Sequence, residues 1–394
     1  RVEEIAHVTD EERRMLASPA APIVLLEKKG GTVCDNVAPL NPYLGIMLPY
    51  APIHHLLIEE VPYLVMTSAN IQDEPIVRNG REVRERLGSI VSFYLDHNRD
   101  IENRCDDSIG HSMAGRGFSI MRRSRGYAPV PVEIPMRVRP TLAVGPFLKN
   151  TFTLARDREA YVSPHIGDLD NLETLRFFTE MIEKYKRWFR IEPELICHDL
   201  HPDYLSTKIA QEMAGKKKPV QHHIAHFVSC LAENRAVGKN IGIIFDGTGY
   251  GLDQKIWGGE FFIGDMREQR RAAHLEYLPL PGAESSIEKP YRIAVAYVYA
   301  LLKRRLCIAP AEEVNVIHRL IDENRNIAFT SSIGRLFDCI SALLGITREI
   351  TYEAEAAINL EHIADHDATG LYPYEVTDAE TAVIKIKDMI GAIQ

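Results

Sequence analysis

The sequence contains few cysteines, and they are spaced too widely to form paired motifs. Its six cysteines are scattered along 394 residues with no CxxC spacing, which argues against zinc knuckles and against a disulfide framework. No apolar run approaches the length of a membrane span, and no signal-peptide pattern is visible at the start. These absences favour a cytoplasmic protein with reduced thiols and no membrane span.

The charge balance is acidic. A net charge of −9 argues against wholesale nucleic-acid binding, although it leaves room for a local basic patch. The composition, with 45% hydrophobic and 26% charged residues, is ordinary for a globular protein, and the length predicts two or three domains. Because the chain starts at Arg1 and its last segment ends without a cap or closing strand, we expect a piece of a larger protein.

The stretch 219–259 carries the strongest chemical signal, and its first part predicts a helix over 222–234. Apolar residues recur there at i, i+3, i+4 and i+7. His222 and His226 are four residues apart and fall on the opposite face as neighbours. Histidine pairs at that spacing hold a divalent metal without straining the helix. The apolar residues are Ile224, Phe227, Val228 and Leu231.

A strand of apolar residues, Ile241–Phe245, follows and is expected to stop at Asp246. The carboxylate of Asp246 is a candidate metal ligand, and the three glycines after it allow backbone N–H groups to converge on a phosphate. A surface histidine pair and a tight hairpin turn are the alternative, since short motifs match by chance. Within one helix–strand unit, the two halves together favour a metal-plus-nucleotide site. The glycines are Gly247, Gly249 and Gly251.

Residues 1–126 alternate short apolar strands with helical and turn segments, which predicts a first domain of mixed α/β character. Strands are expected at Pro22–Leu26, Ile46–Leu48 and Pro62–Met66. The third runs into Thr67–Asn70, which either presents ligand-binding groups at a sheet edge or caps the next turn.

Three arginines, Arg122, Arg123 and Arg125, crowd four positions before a glycine. Guanidinium groups bind phosphate and carboxylate bidentately, so the cluster suits an anionic substrate. A solvated basic strand is the alternative. In a strand, Arg123 and Arg125 would share one face and Arg122 the other.

Four prolines within residues 127–140 predict an extended linker that leads into a second domain over 141–394. That domain is expected to open with a β-hairpin whose turn carries Lys149 and Asn150, which are candidates for holding a phosphate. The two hairpin strands are Leu142–Val144 and Thr151–Ala155.

Two later helices are predicted from their apolar patterns. Leu172–Arg190 reads as a long amphipathic helix, and Ser331–Gly345 as a strongly apolar one. The second encloses Asp338 among apolar neighbours. A buried carboxylate there is costly unless it has a hydrogen-bonding partner.

Long motifs from both domains, in this order, resemble those of HypF-type carbamoyltransferases over nearly the whole chain. In the first domain the motifs are NPYLGIMLPYAP, TSAN, HNRDIENRCDDS and RRSRGYAP. In the second domain they are SPHIGDL, DLHPDYLST, QHHIAH, FDGTGYG, IWGGEFF and SSIGRLFDCISALLG. The resemblance implies an α+β, YrdC-like domain with a twisted open sheet, followed by an actin/hexokinase-type ATPase domain of the RNase H-like (ASKHA) class.

The resemblance also implies a two-site chemistry. Such enzymes use ATP and carbamoyl phosphate to make carbamoyl-adenylate in the YrdC-like domain. The second domain then transfers the carbamoyl group to a C-terminal cysteine of the partner HypE, where it becomes the cyanide ligand of nickel–iron hydrogenase. The implied cofactors are ATP, Mg²⁺ and a zinc or iron ion.

The family's functional positions carry over by motif. His222 and His226 match its metal-binding pair, with Asp246 as a plausible third ligand, and all three are expected to be catalytic. Lys149, Asn150 and the three glycines are expected to hold phosphates, and Asp338 the ribose hydroxyls. The adenylate and carbamoyl groups are expected at Ser68, Asn70, Ser108, Arg123 and Arg125.

The chain departs from the family pattern in several places. The acylphosphatase-like domain, the zinc fingers, the start of the YrdC-like domain and the closing glycine-rich motifs are absent from this sequence. Gly145–Asn150 and Tyr352–Glu355 lack glycines that the family usually has.

Three alternative functions remain open beside carbamoyl transfer to HypE. They are threonylcarbamoyl transfer to tRNA, O-carbamoylation of a metabolite, and a scaffold that binds nucleotide and HypE without catalysis.

Overall fold

The structure is a computed structural model that describes residues 1–31, 33–113, 117–365 and 367–394. The chain forms two units, Arg1–Pro219 and Val220–Gln394. Residues 132–143, which include most of the expected linker, form a strand that pairs with later strands of the first unit. The domain boundary expected at 127–140 stays a prediction.

A four-stranded sheet organises the beginning of the first unit, in the order β2-β1-β3-β4. Its central strand β1 pairs antiparallel with β2 and parallel with β3. The buried side chains of Val24 and Leu26 on β1 pack against Ile5 and Leu16 from the first two helices. The strands are β1 (Ile23–Glu27), β2 (Tyr43–Ile46), β3 (Ile109–Met113) and β4 (Gly117–Arg122). The helices are α1 (Val2–Ile5), α2 (Asp10–Leu16), α3 (Pro52–Glu60) and α4 (Gly80–Glu82), and a π-helical turn, Val83–Leu87, follows α4.

Two of the three strands expected in this region differ from the structure. The strand expected at Pro22–Leu26 is found as β1, but the one expected at Ile46–Leu48 lies earlier, as β2. Pro62–Met66 forms no strand, and the side chains of Leu64 and Val65 are exposed. A run of β-formers becomes a strand only when a neighbouring strand pairs with it, and local propensity does not encode that neighbour.

A second four-stranded sheet, in the order β6-β5-β7-β8, follows in the chain. The helix α5 packs on it through Phe178 and Tyr185, which are fully buried with Phe152 of the β5–β6 region. Asn171 caps this helix by accepting a hydrogen bond from Thr174 N at 2.8 Å, and the predicted helix is confirmed. The strands are β5 (Val132–Ala143), β6 (Thr153–Val162), β7 (Leu195–Asp199) and β8 (Lys216–Val220). The helices are α5 (Leu172–Phe189) and α6 (Leu205–Glu212).

Most of the expected linker 127–140 is therefore sheet. Strand β5 tolerates its prolines because the ladder with β6 is irregular where they occur. The register shifts between Glu133 and Val138, which flank Pro135, and again between Val138 and Thr141, which flank Pro140. A proline within a sheet is confined to such irregular or edge positions, because it cannot donate a ladder hydrogen bond.

The second unit is built on a sheet of seven strands. The path runs β12-β13-β10-β11-β15-β14, and β9 pairs antiparallel with β10 outside that path. The strands are β9 (Asn240–Tyr250), β10 (Ile256–Gly264), β11 (Gln269–Leu275), β12 (Leu278–Pro281), β13 (Ile327–Thr330), β14 (Glu375–Val376) and β15 (Ala382–Lys385).

Helices surround this sheet, and α9 lies at the centre of their core. Its residues Ile293, Val295 and Tyr297 are almost completely buried and pack with Leu336 and Cys339 of α11. The helices are α7 (His222–Glu233), α8 (Glu284–Ile287), α9 (Pro290–Leu302), α10 (Ala311–Asp322), α11 (Ile333–Leu343), α12 (Glu355–His362) and α13 (Lys387–Ile393). Across the described ranges, none of the helices has both the length and the apolar character needed to span a bilayer.

Candidate metal centre

Helix α7 positions the two histidines that the sequence singled out. It begins after Gln221, whose side-chain oxygen accepts a hydrogen bond from Ile224 N at 3.0 Å. Its buried face contributes Phe227 to a cluster with Trp257 and Phe262 of β10. The helix predicted over 222–234 from the amphipathic pattern is confirmed as His222–Glu233.

The side chains of His222, His226 and Asp246 converge in the second unit. The Nε2 atoms of the two histidines lie 3.2 Å apart, and His222 Nε2 lies 3.3 Å from Asp246 Oδ2. One donor atom from each residue lies within 4.8 Å of the others, and no other such trio occurs among the described residues. Donor atoms on a tetrahedral ion with bonds of about 2.0–2.1 Å are separated by about 3.3–3.4 Å. The two shorter spacings therefore fit a zinc-sized cation.

Asp246 is held in its charged form. Burial opposes its ionisation, but the adjacent imidazoles of His222 and His223 outweigh that effect and hold the pKa of Asp246 well below its usual range. Its Oδ1 accepts from Gly247 N at 2.6 Å. Its Oδ2 is buried and makes no hydrogen bond of good geometry. A carboxylate oxygen that is buried and under-satisfied is suited to a cation.

The segment after Asp246 differs from the expected end of the strand. Strand β9 does not stop at Asp246 but continues to Tyr250, and the turn lies at 251–255. Gly249 pairs with Trp257 in the ladder, and the register shifts one step further on. The strand therefore continues through the first two glycines. Gly249 and Gly251 allow neighbouring side chains to approach the backbone closely.

The three glycines after Asp246 differ in what lies against them. A Cβ atom on Gly249 would lie 2.3 Å from Cε1 of His223, and one on Gly251 would lie 2.2 Å from Nε1 of Trp257. A Cβ atom on Gly247 would meet nothing within 4 Å. Gly249 therefore lets the ring of His223 reach Asp246, whereas Gly247 borders open space, where a ligand would have access to its backbone.

This difference makes a matched pair of substitutions. Gly249→Ala is expected to displace the His223 and His222 rings and to weaken zinc binding about tenfold or more, the range seen when support around a metal ligand is lost. Gly247→Ala is expected to leave zinc affinity unchanged. Competition against a chromophoric chelator measures both. Equal affinity in the two variants would contradict the packing argument.

The start of helix α11 lies against the same hairpin. Ser332 caps this helix, and its Oγ lies 2.8 Å from the carbonyl oxygens of Asp246 and Gly247. A Cβ atom on Gly334 would lie 3.0 Å from the Cα of Gly247. The partial positive charge of a helix N-terminus favours a nearby anion. Sequence reasoning missed Ser332 and Gly334, although a serine followed by a glycine at a helix start was a usable signal.

Asp338 has the partner that its burial required. Arg335 Nε donates to Asp338 Oδ2 at 2.6 Å, and both side chains are almost fully buried. Burial raises the pKa of Asp338, and Arg335 opposes that rise. The expected helix is found as α11, somewhat shorter at both ends. The ribose-binding role of Asp338 stays a prediction.

In the first unit, the structure brings Ser108 and Arg125 together. Ser108 Oγ donates to Arg125 O at 2.9 Å, and Arg125 Nε donates to Asp107 Oδ1 at 2.7 Å. The guanidinium also lies 3.6 Å from the centre of the Tyr50 ring. Sequence reasoning missed the contact of Arg125 with Tyr50.

Arg123 does not continue a strand with Arg125, because β4 ends at Arg122. Its guanidinium donates to the carbonyl oxygens of Tyr127 and Val130, at 2.8 and 2.5 Å. Ser68 and Asn70 lie in the segment between α3 and α4, where Asn70 Nδ2 donates to Ile71 O at 2.8 Å. The ligand-binding roles of Ser68, Asn70 and Arg123 remain predictions.

The expected hairpin around Lys149 and Asn150 is present, since β5 and β6 pair antiparallel. Asn150 is fully buried, and its Nδ2 donates to Val144 O and Pro146 O at 2.9 and 2.6 Å. Lys149 N donates to Asp168 Oδ1 at 2.6 Å. The amide of Asn150 therefore braces the loop, and phosphate binding by either residue stays a prediction.

Three family models match successive parts of the chain. Residues 1–124 match the YrdC-type family described as telomere recombination. Residues 137–233 match the HypF Kae1-like domain. Residues 242–394 match the second subdomain of the carbamoyltransferase Kae1-like domain.

Curated relatives and solved structures agree with these models. The carbamoyltransferase HypF of Rhizobium leguminosarum bv. viciae is 37% identical over 91% of this chain and 48% of its own length. That of Synechocystis sp. is 37% identical over 94% of this chain and 51% of its own length. A structure of full-length HypF in the phosphate- and nucleotide-bound form is 41% identical. It superposes with a TM-score of 0.94 and covers 100% of this chain and 63% of that one. A structure of HypF from T. kodakarensis is 34% identical. Its TM-score is 0.90, and it covers 99% of this chain and 54% of that one.

The fold and these matches define a protein with a YrdC-like domain followed by a Kae1-like domain of the ASKHA type, which confirms the expected fold class. The chain belongs to the HypF family of carbamoyltransferases. It spans about half the length of the curated relatives it matches, at 48% and 51%.

Proposed function

We propose that this chain carries the two nucleotide-dependent steps of a HypF-type carbamoyltransferase. Hydrolysis of carbamoyl phosphate supplies carbamate and phosphate, and the YrdC-like domain joins the carbamate to the α-phosphate of ATP to give carbamoyl-adenylate and pyrophosphate. The Kae1-like domain transfers the carbamoyl group to the C-terminal cysteine thiol of HypE with release of AMP, on the way to the cyanide ligand of a nickel–iron hydrogenase. The observation that carries the proposal is the convergence of His222, His226 and Asp246 inside a domain whose relatives are named carbamoyltransferases.

The residues of the second unit suit the transfer step. A zinc or iron ion bound there would act as a Lewis acid that draws phosphate and carbamoyl oxygens together. His222 and His226 present their nitrogens from one rigid helix, and Asp246 adds a full negative charge. The N-terminus of α11 favours the phosphate of the adenylate at the open side of Gly247. Mg²⁺ would accompany ATP, as it does in most nucleotide sites.

The residues of the first unit suit adenylate formation. Arg125 is stacked on Tyr50, and its Nε, Nη1 and Nη2 donate to Asp107 Oδ1, Ala20 O and Ala21 O, so its guanidinium is held in one place. Each terminal nitrogen keeps a second N–H group, through which a fixed guanidinium can bind a phosphate with little loss of side-chain entropy. Ser108, which is buried beneath it, fixes the backbone of the same segment.

The direct test is to mix the protein with ATP, Mg²⁺, carbamoyl phosphate, an acylphosphatase and HypE, and to weigh HypE by mass spectrometry. We expect one carbamoyl group on its terminal cysteine. If HypE shows no mass gain although its terminal cysteine is free and carbamoyl-adenylate is present, the transfer activity is refuted. ATP–pyrophosphate exchange that depends on the carbamoyl donor separates the enzyme from a non-catalytic scaffold, because a scaffold shows none.

A further inference from the structure

A chain of three side chains, Gln221, His223 and Asp246, lies behind the candidate metal site. The orientation of the Gln221 amide is fixed by two backbone groups. Its oxygen accepts from Ile224 N at 3.0 Å, so the other amide atom is the nitrogen. That nitrogen donates to Tyr250 O at 3.1 Å. Neither backbone group permits the reverse orientation of the amide.

The fixed amide determines which nitrogen of His223 carries its proton. Gln221 Nε2 also lies 3.1 Å from His223 Nδ1. Since the amide nitrogen is a donor there, Nδ1 is the acceptor and the proton of the neutral ring lies on Nε2. The ring is fully buried, and its Nε2 lies 3.2 Å from Asp246 Oδ2. The Nε2–H group of His223 therefore lies beside Asp246 Oδ2, and neither of these two buried atoms has a well-aligned hydrogen-bond partner.

We propose that His223 is a positioning residue for the metal site, and that Gln221 sets its tautomer. This inference rests on the proposed function, in which His222, His226 and Asp246 bind the ion. Gly247 N donates to Asp246 Oδ1. His223 Nε2 lies 3.2 Å from Oδ2, close enough to limit the rotation of the carboxylate, although the two atoms are not aligned as a hydrogen bond. Together the two groups keep the carboxylate turned toward the histidine pair.

A purely structural role makes a different prediction. The His223 ring also packs beside Gly249 and 6.1 Å from the centre of the Trp257 ring. If packing were its only role, any side chain of similar volume would serve. If the N–H donor matters, only a side chain that places a donor at the Nε2 position will serve. Gln and Asn distinguish these cases, because the Gln amide nitrogen reaches the position of Nε2 and the Asn amide nitrogen that of Nδ1.

The experiment measures zinc affinity by competition with a chromophoric chelator for the wild type, His223→Gln and His223→Asn. We expect His223→Asn to bind zinc about 10–100-fold more weakly, the usual loss when a partner of a metal ligand is removed. His223→Gln should recover most of that loss. Thermal unfolding without metal shows whether each variant is folded. Wild-type affinity in both variants, or equal losses in both, would overturn the positioning role.

A second measurement begins with the wild-type protein, so its first result does not depend on the folding of any variant. Long-range ¹H–¹⁵N spectra of ¹⁵N-histidine-labelled, metal-free protein should show His223 with its proton on Nε2. Gln221→Ala should remove this preference and weaken zinc binding. A proton on Nδ1 in the wild type would overturn the inference even if zinc binds. A wild type that binds no zinc or iron would instead overturn the proposed metal site, and the positioning role with it.

Discussion

His222→Ala is expected to lose its metal and its carbamoyl transfer to HypE while it keeps adenylate formation. His222 lies on the side of α7 opposite the buried Phe227, so its removal leaves no cavity in the core. It does remove one of two nitrogens that lie 3.2 Å apart at the candidate site. The residues proposed for adenylate formation, Ser108 and Arg125, belong to the other unit and retain their contacts.

Element analysis, HypE carbamoylation and ATP–pyrophosphate exchange together measure this prediction. Glu233→Ala is the matched control, because it places alanine at an exposed position of the same helix and should change none of the three. The wild type with saturating metal should gain about 2.7 kcal/mol at a hundredfold excess over Kd. With a chelator present, wild type and His222→Ala should unfold alike. A mutant that keeps its metal, or loses exchange as completely as transfer, would refute the two-site assignment.

The convergence of His222, His226 and Asp246 was predictable because most of its information is local. The apolar period and the histidine spacing lie in one segment, and a helix converts that spacing directly into proximity. Asp246 could be included because it directly follows an apolar run that comes soon after this helix in the sequence, so its side chain is expected near the two histidines. The helices α5 and α11 were predictable for the same reason.

Predictions that depended on distant partners were less successful. Pro62–Met66 has the composition of a strand, yet no strand among the described residues pairs with it. The prolines of 127–140 predicted a linker, whereas β6 and β7 recruit most of that stretch into a sheet. The glycines after Asp246 predicted the end of the strand and a phosphate loop, whereas the strand continues to Tyr250, and Gly249 and Gly251 allow the close approach of His223 and Trp257. None of these deciding contacts is visible in the local sequence.

The supporting residues of the site could not be read from the sequence at all. Gln221 is an ordinary polar residue until its amide meets Tyr250 O, 29 positions later. Glu260 likewise lies within a strand of apolar residues and glycines, with no local sign of the groups that it binds. Its partners are Arg271 from the next strand and Ser331 from the start of α11.

The buried carboxylate of Glu260 on β10 connects this strand to β11 and to the start of α11. Its side chain is completely buried. One carboxylate oxygen accepts from Gly258 N at 3.1 Å and from Ser331 Oγ at 2.5 Å. The other accepts from Arg271 Nε at 2.5 Å. Arg271 is itself stacked 3.7 Å from the centre of the Trp257 ring, so both charges are enclosed and depend on each other.

Glu260→Ala is therefore expected to destabilise the second unit by about 3–5 kcal/mol, because it leaves Arg271, whose side chain is only 15% exposed, without this counter-charge. Glu260→Gln should cost less, since it keeps an acceptor for Gly258 and Ser331. The control is Glu375→Ala, which breaks an exposed pair with Lys385 in the same unit and should cost about 0.2–1 kcal/mol. Urea unfolding is followed by Trp257 fluorescence in a Trp188→Phe background, so the signal reports the second unit alone. A cost for Glu260→Ala as small as that of Glu375→Ala would show that the buried pair does not hold this sheet together.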